Sequence, residues 1–160
     1  MISSADEAAI EAQLGRLPRG IADVHRCPCS LPDVAITEPR LPDGTPFPTT
    51  FYLTCPRAAS LIGTLEGSGL MKEMEQRLAD DPELAAAYRQ AHENYLAYRA
   101  SLGEPVAETE GISAGGMPDR VKCLHALAAQ SLAQGQGINP LGDEVLARLG
   151  DWWSAGPCVS

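Results

Sequence analysis

The side chains in this sequence best suited to chemistry are its thiols and imidazoles, five cysteines and three histidines in 160 residues. Cys123 and His125 stand two apart in SAGGMPDRVKCLHAL (113–127), Cys27 and Cys29 flank Pro28, and Cys55 precedes Pro56. Thiolate and imidazole are zinc ligands, and four of them in tetrahedral array close a structural site. Cys27, Cys55, Cys123 and His125 form the candidate set. Their spacing is not diagnostic, because C-P-C is not the C-x-x-C knuckle and no zinc-finger spacing is matched. Helix geometry adds a condition. Residues two apart on a helix point about 200° apart. A helix begun at Pro118 would send His125 along the apolar stripe of Val121, Leu124, Ala128 and Leu132 and turn Cys123 away. The pair can share an ion only where the backbone is not helical at Cys123. Without a metal, His125 is a hydrogen-bonded core histidine and the thiols are small buried hydrophobes. Thiols at Cys27, Cys29, Cys55 and Cys123 would also suit an iron–sulfur cluster.

The same stretch offers a second chemistry. Gly115 and Gly116 ahead of a helix expose backbone N–H groups where the helix dipole is positive. Arg120 and Lys122 in the first turn would add charge, Arg with a bidentate fork for phosphate or carboxylate. These four residues are the candidate anion site. The stretch has no G-K-[ST] and no preceding strand pattern, so it is not a P-loop, and a plain capped helix with solvated bases is the favoured reading of it. No G-x-S-x-G elbow or H-E-x-x-H pair occurs. His25, on an alternating strand, and His92, on a charged helix, read as surface residues.

These residues must be positioned by the elements around them. Ser3 or Ser4 caps a first helix that Gly15 stops. IADVHRC (21–27), VAIT (34–37) and TTFYLT (49–54) read as strands, the last rich in β-branched and aromatic residues. LPDGTPFP between them is a rigid loop. From Pro56 the periodicity becomes helical: a segment to Gly67, then GLMKEMEQRLA with Leu70, Met74 and Leu78 four apart, then a longer helix from Asp81-Pro82-Glu83 through Tyr98. SLGEPVAETEGISAGG has no period and reads as a flexible connector. A helix over 118–133 and a last one over 142–149 follow. Strands first and helices afterwards predict an α+β fold, an antiparallel sheet of about three strands covered by four to six helices. Residues 1–150 are expected to form one domain and 151–160 a loosely held tail, from which Trp152 or Trp153 docks back onto the domain.

Composition narrows the functional classes. Hydrophobic residues make up 44% and charged residues 21% of the chain, ordinary for a globular protein and against wholesale disorder. The net charge of −9, with scattered bases and few aromatics, disfavours nucleic acid. No apolar run approaches the roughly 20 residues a membrane helix needs, so no membrane role is expected. The acidic N-terminus lacks the pattern of a signal peptide, and a cytoplasmic location with reduced thiols is the expectation.

PDRVKCLHALAAQSLA with the following GxGINPLGDE, together with RCP, LPDGTPFPTTFYLTCP and LEGSGLMKEMEQRLADDPELAAAYR, resembles an actinobacterial family, domain of unknown function 501. The resemblance runs from about Glu11 to Leu149 and implies no established activity. It implies that Cys27, Cys123, His125 and the turn of Asn139, Pro140 and Gly142 belong to the family pattern. It also implies that the position of Cys55 can be histidine, an exchange between two zinc ligands. Gln130 stands where relatives often carry histidine. The family is typically encoded beside a septum-formation initiator and an exopolyphosphatase.

Three functions follow as expectations. The first is a Cys/His zinc site of structural or regulatory role. The second is a metal-assisted hydrolase or transferase whose anionic, phosphate-containing small molecule rests on the glycine turn. The third is a metal-free interaction protein linked to cell division, docking through acidic helices and Tyr88, Tyr95 and Tyr98.

Overall fold

The computed structural model describes residues 2–157. Among these residues six helices and a three-stranded sheet follow in the order α1 (Ser4–Leu14), β1 (Ile21–Arg26), β2 (Pro32–Thr37), β3 (Phe51–Leu53), α2 (Pro56–Glu66), α3 (Leu70–Asp80), α4 (Pro82–Ser101), α5 (Leu124–Gln134) and α6 (Pro140–Leu149). Short 3-10 turns occupy Ala107–Thr109 and Trp152–Ala155. The fold is α+β, as the element order predicts.

The sheet is an antiparallel meander, β1-β2-β3, with Val24 opposite Ala35 and Ile36 opposite Phe51. Every residue of β2 is buried. A central strand covered on both faces loses the polar alternation of a half-exposed one. Here α5 and α1 both pack on β2, and α5 also packs on β3. The main core joins Val34, Phe51, Ile62, Met74, Tyr88, Tyr95, Leu124, Leu127, Leu141 and Val145. The closest helix pairing is α5 with α6. A methyl on Gly142 would run into the Leu127 carbonyl and the Ser131 hydroxyl, so glycine is required where these helices touch.

Three expectations change. Tyr88 and Tyr95 are fully buried, their hydroxyls bonded to Arg120 O and Thr50 N–H, so they present no docking face. His92 is also buried, its Nδ1 2.7 Å from Ser113 Oγ. The connector after α4 is tied down: buried Arg99 donates to the carbonyls of Pro48, Thr109, Ile112 and Ser113. A guanidinium has five N–H donors in a planar fork and can fasten several carbonyls of an aperiodic segment at once. In the C-terminal stretch Trp152 is buried against Cys27, Cys55 and Ala58, and residues 158–160 of the expected tail lie outside the described residues. No helix among the described residues is long and apolar enough to cross a membrane.

Candidate metal centre

The site is built where α2 ends and α5 begins. α5 starts at Leu124, six residues after the predicted start, and the loop before it folds back on itself. Arg120 N–H bonds Gly116 O and Lys122 N–H bonds Gly115 O, each at 2.8 Å. Gly115 and Gly116 have φ of 65° and 93°. A methyl on the first would press on Leu127 and the Cys123 carbonyl, and one on the second on the Arg120 carbonyl. Only glycine combines that backbone with that closeness.

This loop delivers Cys123 as the residue preceding the helix, with φ −153° and ψ 109°. The backbone is extended there, which meets the condition for Cys123 and His125 to face one ion. Cys123 makes no side-chain cap. The first amide of α5 is met instead by a distant carboxylate, with Leu124 N–H donating to Glu66 Oε2 at 2.8 Å. The same oxygen lies 3.1 Å from His125 Nδ1. The other ring nitrogen, Nε2, lies 3.0 Å from the Ala59 carbonyl of α2. Ligand atoms of Glu66, Cys123 and His125 all lie within 4.8 Å of one another, and this is the group of its kind among the described residues. All three residues are half-buried. Cys123 and His125 also line a cavity of about 530 Å³ walled mostly by apolar residues such as Phe51, Leu53 and Ile112.

The four-ligand set expected from the sequence is therefore divided. Cys123 and His125 meet Glu66. Cys27 and Cys55 belong to the second apolar cluster, with Ala58 and Trp152. The physical reason lies in α2: Cys55 heads this helix and packs beside Trp152, while Glu66 at its other end faces α5. The expected anion site changes too. Arg120 Nε pairs with Glu75 Oε2 at 2.7 Å, and Val121 N–H donates to the same oxygen at 2.9 Å. The amides of Arg120 and Lys122 are spent on the glycine carbonyls, and the true helix N-terminus already holds Glu66. Gly115, Gly116, Arg120 and Lys122 thus share one loop, but its guanidinium and these two amides are committed within the fold. The Val121 amide and the Arg120 guanidinium hold the Glu75 carboxyl below its ordinary range.

Residue spacing alone does not reveal Glu66, although one signal points to it. A carboxylate in the last turn of a helix opposes the dipole, and no base accompanies it in that turn of α2. Such an acid calls for a donor elsewhere.

The family described as "Protein of unknown function (DUF501)" matches residues 23–147. The chain belongs to the DUF501 family. No curated protein and no solved structure matches the chain. The DUF501 region runs from within β1 to within α6 and contains Glu66, Cys123 and His125; α1 and both tryptophans fall outside it.

Proposed function

We propose that this DUF501 protein binds a divalent metal ion, zinc by its donor set, through the Glu66 carboxylate, Cys123 Sγ and His125 Nδ1. The ion joins the end of α2 to the start of α5, in a structural or regulatory role.

The observation that carries the reading is the orientation of His125. Nε2 faces a carbonyl, which only accepts, so Nε2 holds the ring hydrogen. In the neutral ring Nδ1 then carries a lone pair, and it faces a carboxylate oxygen 3.1 Å away. Two acceptors at that distance require a cation, either a proton or a metal. A backbone carbonyl on the far nitrogen is the usual second contact of a metal-bound histidine, because it sets the tautomer and aims the lone pair. Nitrogen and oxygen ligands at about 2.1 Å from tetrahedral zinc lie roughly 3.4 Å from each other, a few tenths of an ångström beyond the 3.1 Å here. With thiolate and carboxylate both ionised, a divalent ion neutralises the trio. An iron–sulfur cluster fits less well, since it is held by several thiolates and the trio supplies one.

A second reading, metal-assisted hydrolysis or group transfer, draws support from the ligand count. Three protein ligands leave the fourth position for water, the pattern of catalytic zinc. The cavity beside it is mostly apolar, and Arg120 is paired with Glu75, so an anionic substrate has little to hold it.

Elemental analysis of protein purified without chelator tests the proposal. About one zinc per chain is expected in the wild type, less in Cys123→Ser and Glu66→Gln, and an unchanged amount in Cys55→Ser. Glutamine keeps a carbonyl for Leu124 N–H, so loss of metal in that variant reports on ligation rather than capping. Background metal in the wild type, or full occupancy in Cys123→Ser, refutes it.

A further inference from the structure

A second cavity, of about 650 Å³, opens between the β1–β2 hairpin, α5, α6 and the Trp152–Ala155 turn. Its size is that of a small-molecule site. Two residues lining it carry a buried polar atom without a hydrogen-bond partner among the described residues: Asp33 Oδ2, an acceptor, and Trp152 Nε1, a donor. Buried polar atoms are rarely left unpaired, and such exceptions call for a missing group. Asp33 is fully buried, and its other oxygen, Oδ1, sits 2.7 Å from His25 Nδ1.

The chemistry of the walls selects the ligand. Asp33, Asp143 and Asp151 line the cavity, whereas the Arg26 guanidinium there is already bound by both oxygens of Asp6. An anion would meet three carboxylates, no uncommitted guanidinium, and in His25 an imidazole already paired with Asp33 Oδ1. A cation would meet a buried carboxylate and the rings of Trp152 and Trp153, which stand edge to face with centroids 4.7 Å apart. The orphan indole N–H adds a requirement, an oxygen acceptor on the ligand. Leu132 and Leu146 supply apolar wall for the rest of it.

We infer that this cavity binds a small primary amine bearing a neighbouring oxygen, an amino alcohol in the simplest case. Its ammonium group donates to Asp33 Oδ2 and its oxygen accepts from Trp152 Nε1. Burial raises the Asp33 carboxyl above its ordinary range, and the hydrogen bond from His25 opposes that rise.

The only two tryptophans of the chain, Trp152 and Trp153, both line this cavity, so intrinsic fluorescence reads it directly. Titration of the whole protein with phenylalaninol should give a saturable change in emission. Phenethylamine, which lacks the oxygen, should bind several-fold more weakly; 3-phenylpropan-1-ol and phenylacetate should not saturate. Asp33→Asn keeps an oxygen for His25 but removes the charge, and should weaken phenylalaninol by about tenfold or more, the usual worth of a charge-assisted bond. Trp152→Phe keeps an aromatic wall and Trp153 as reporter, and should erase the advantage of phenylalaninol over phenethylamine. The inference is overturned by no saturable response to phenylalaninol, by equal or tighter binding of the alcohol or the carboxylate, or by undiminished binding in folded Asp33→Asn. Should Asp33→Asn not fold, a phenylalaninol advantage that survives Trp152→Phe overturns it.

Discussion

Helices α5 and α6 lie against each other and begin in opposite ways. α6 caps itself: Asn139 Oδ1 accepts from the amides of Leu141 and Gly142, and Pro140 fills the first position. α5 has no such device. Its first residue follows an extended cysteine, and the acceptor for Leu124 N–H comes from Glu66, 58 positions earlier. A locally capped helix can form its end before the rest of the chain is in place. A remotely capped one acquires its end only when the tertiary structure does. In this protein that later end is where three side chains able to hold a metal gather, so the same carboxylate serves the fold and the proposed site.

The comparison can be broken most severely at the contact between the two helices. Gly142→Ala pushes a methyl into the Leu127 carbonyl and Ser131 hydroxyl and should cost about 3 kcal/mol or more, the upper end of overpacking effects. Urea denaturation measures it, and a cost below 1 kcal/mol would show that α5 and α6 are not closely seated.

Asn139→Ala should come next, at about 2–3 kcal/mol. Beyond losing the cap, it strips the donor from buried Gln130 Oε1, since Asn139 Nδ2 donates there at 2.9 Å. A loss of only a few tenths would mean that α6 does not depend on its own cap.

Glu66→Ala, measured with chelator present, should cost about 1–2 kcal/mol, because Leu124 N–H loses its acceptor. Glu66→Gln should recover much of that while still losing metal. Equal costs for the two variants would mean that capping by Glu66 contributes little without its charge.

The smallest effect is a pH dependence. Glu75 has a carboxyl held below the usual 4.5, first by the Val121 amide and then by Arg120. A depressed carboxyl contributes stability that is present above its unfolded value and lost as pH falls through its folded value. The acid limb of a stability–pH profile should therefore flatten slightly below pH 4.5 in Glu75→Gln. An identical limb in both proteins would remove Glu75 as a second remote anchor of the loop before α5.

What was legible in the sequence follows the same division. Ser3 with Asp6 ahead of α1, Asp81-Pro82 ahead of α4 and Pro56 ahead of α2 are local signals, and the structure places those helices where such signals predict. β1 and β3 fall within the predicted stretches, β3 reaching only from Phe51 to Leu53, whereas β2 starts at Pro32, two residues ahead of the predicted VAIT. The start of α5 was not legible, because Pro118 mimics a first-turn proline while the actual determinant, Glu66, is contributed by another helix. The burial of His92 was hidden for a similar reason: its partner Ser113 lies across a segment without periodicity. Residue type singled out Cys123 and His125, but their partner could not be read from spacing. Cys27 and Cys55 show the converse: zinc-ligand chemistry is present in both, yet the structure assigns them to the cluster around Trp152.

Cobalt(II) titration of the metal-free protein tests the central claim most directly, because thiolate bound to cobalt produces a charge-transfer absorption. That band should grow to a one-to-one endpoint in the wild type, persist in Cys27→Ser and Cys55→Ser, and vanish in Cys123→Ser. A band that survives Cys123→Ser, or one that requires Cys27 or Cys55, would contradict a site made of Glu66, Cys123 and His125.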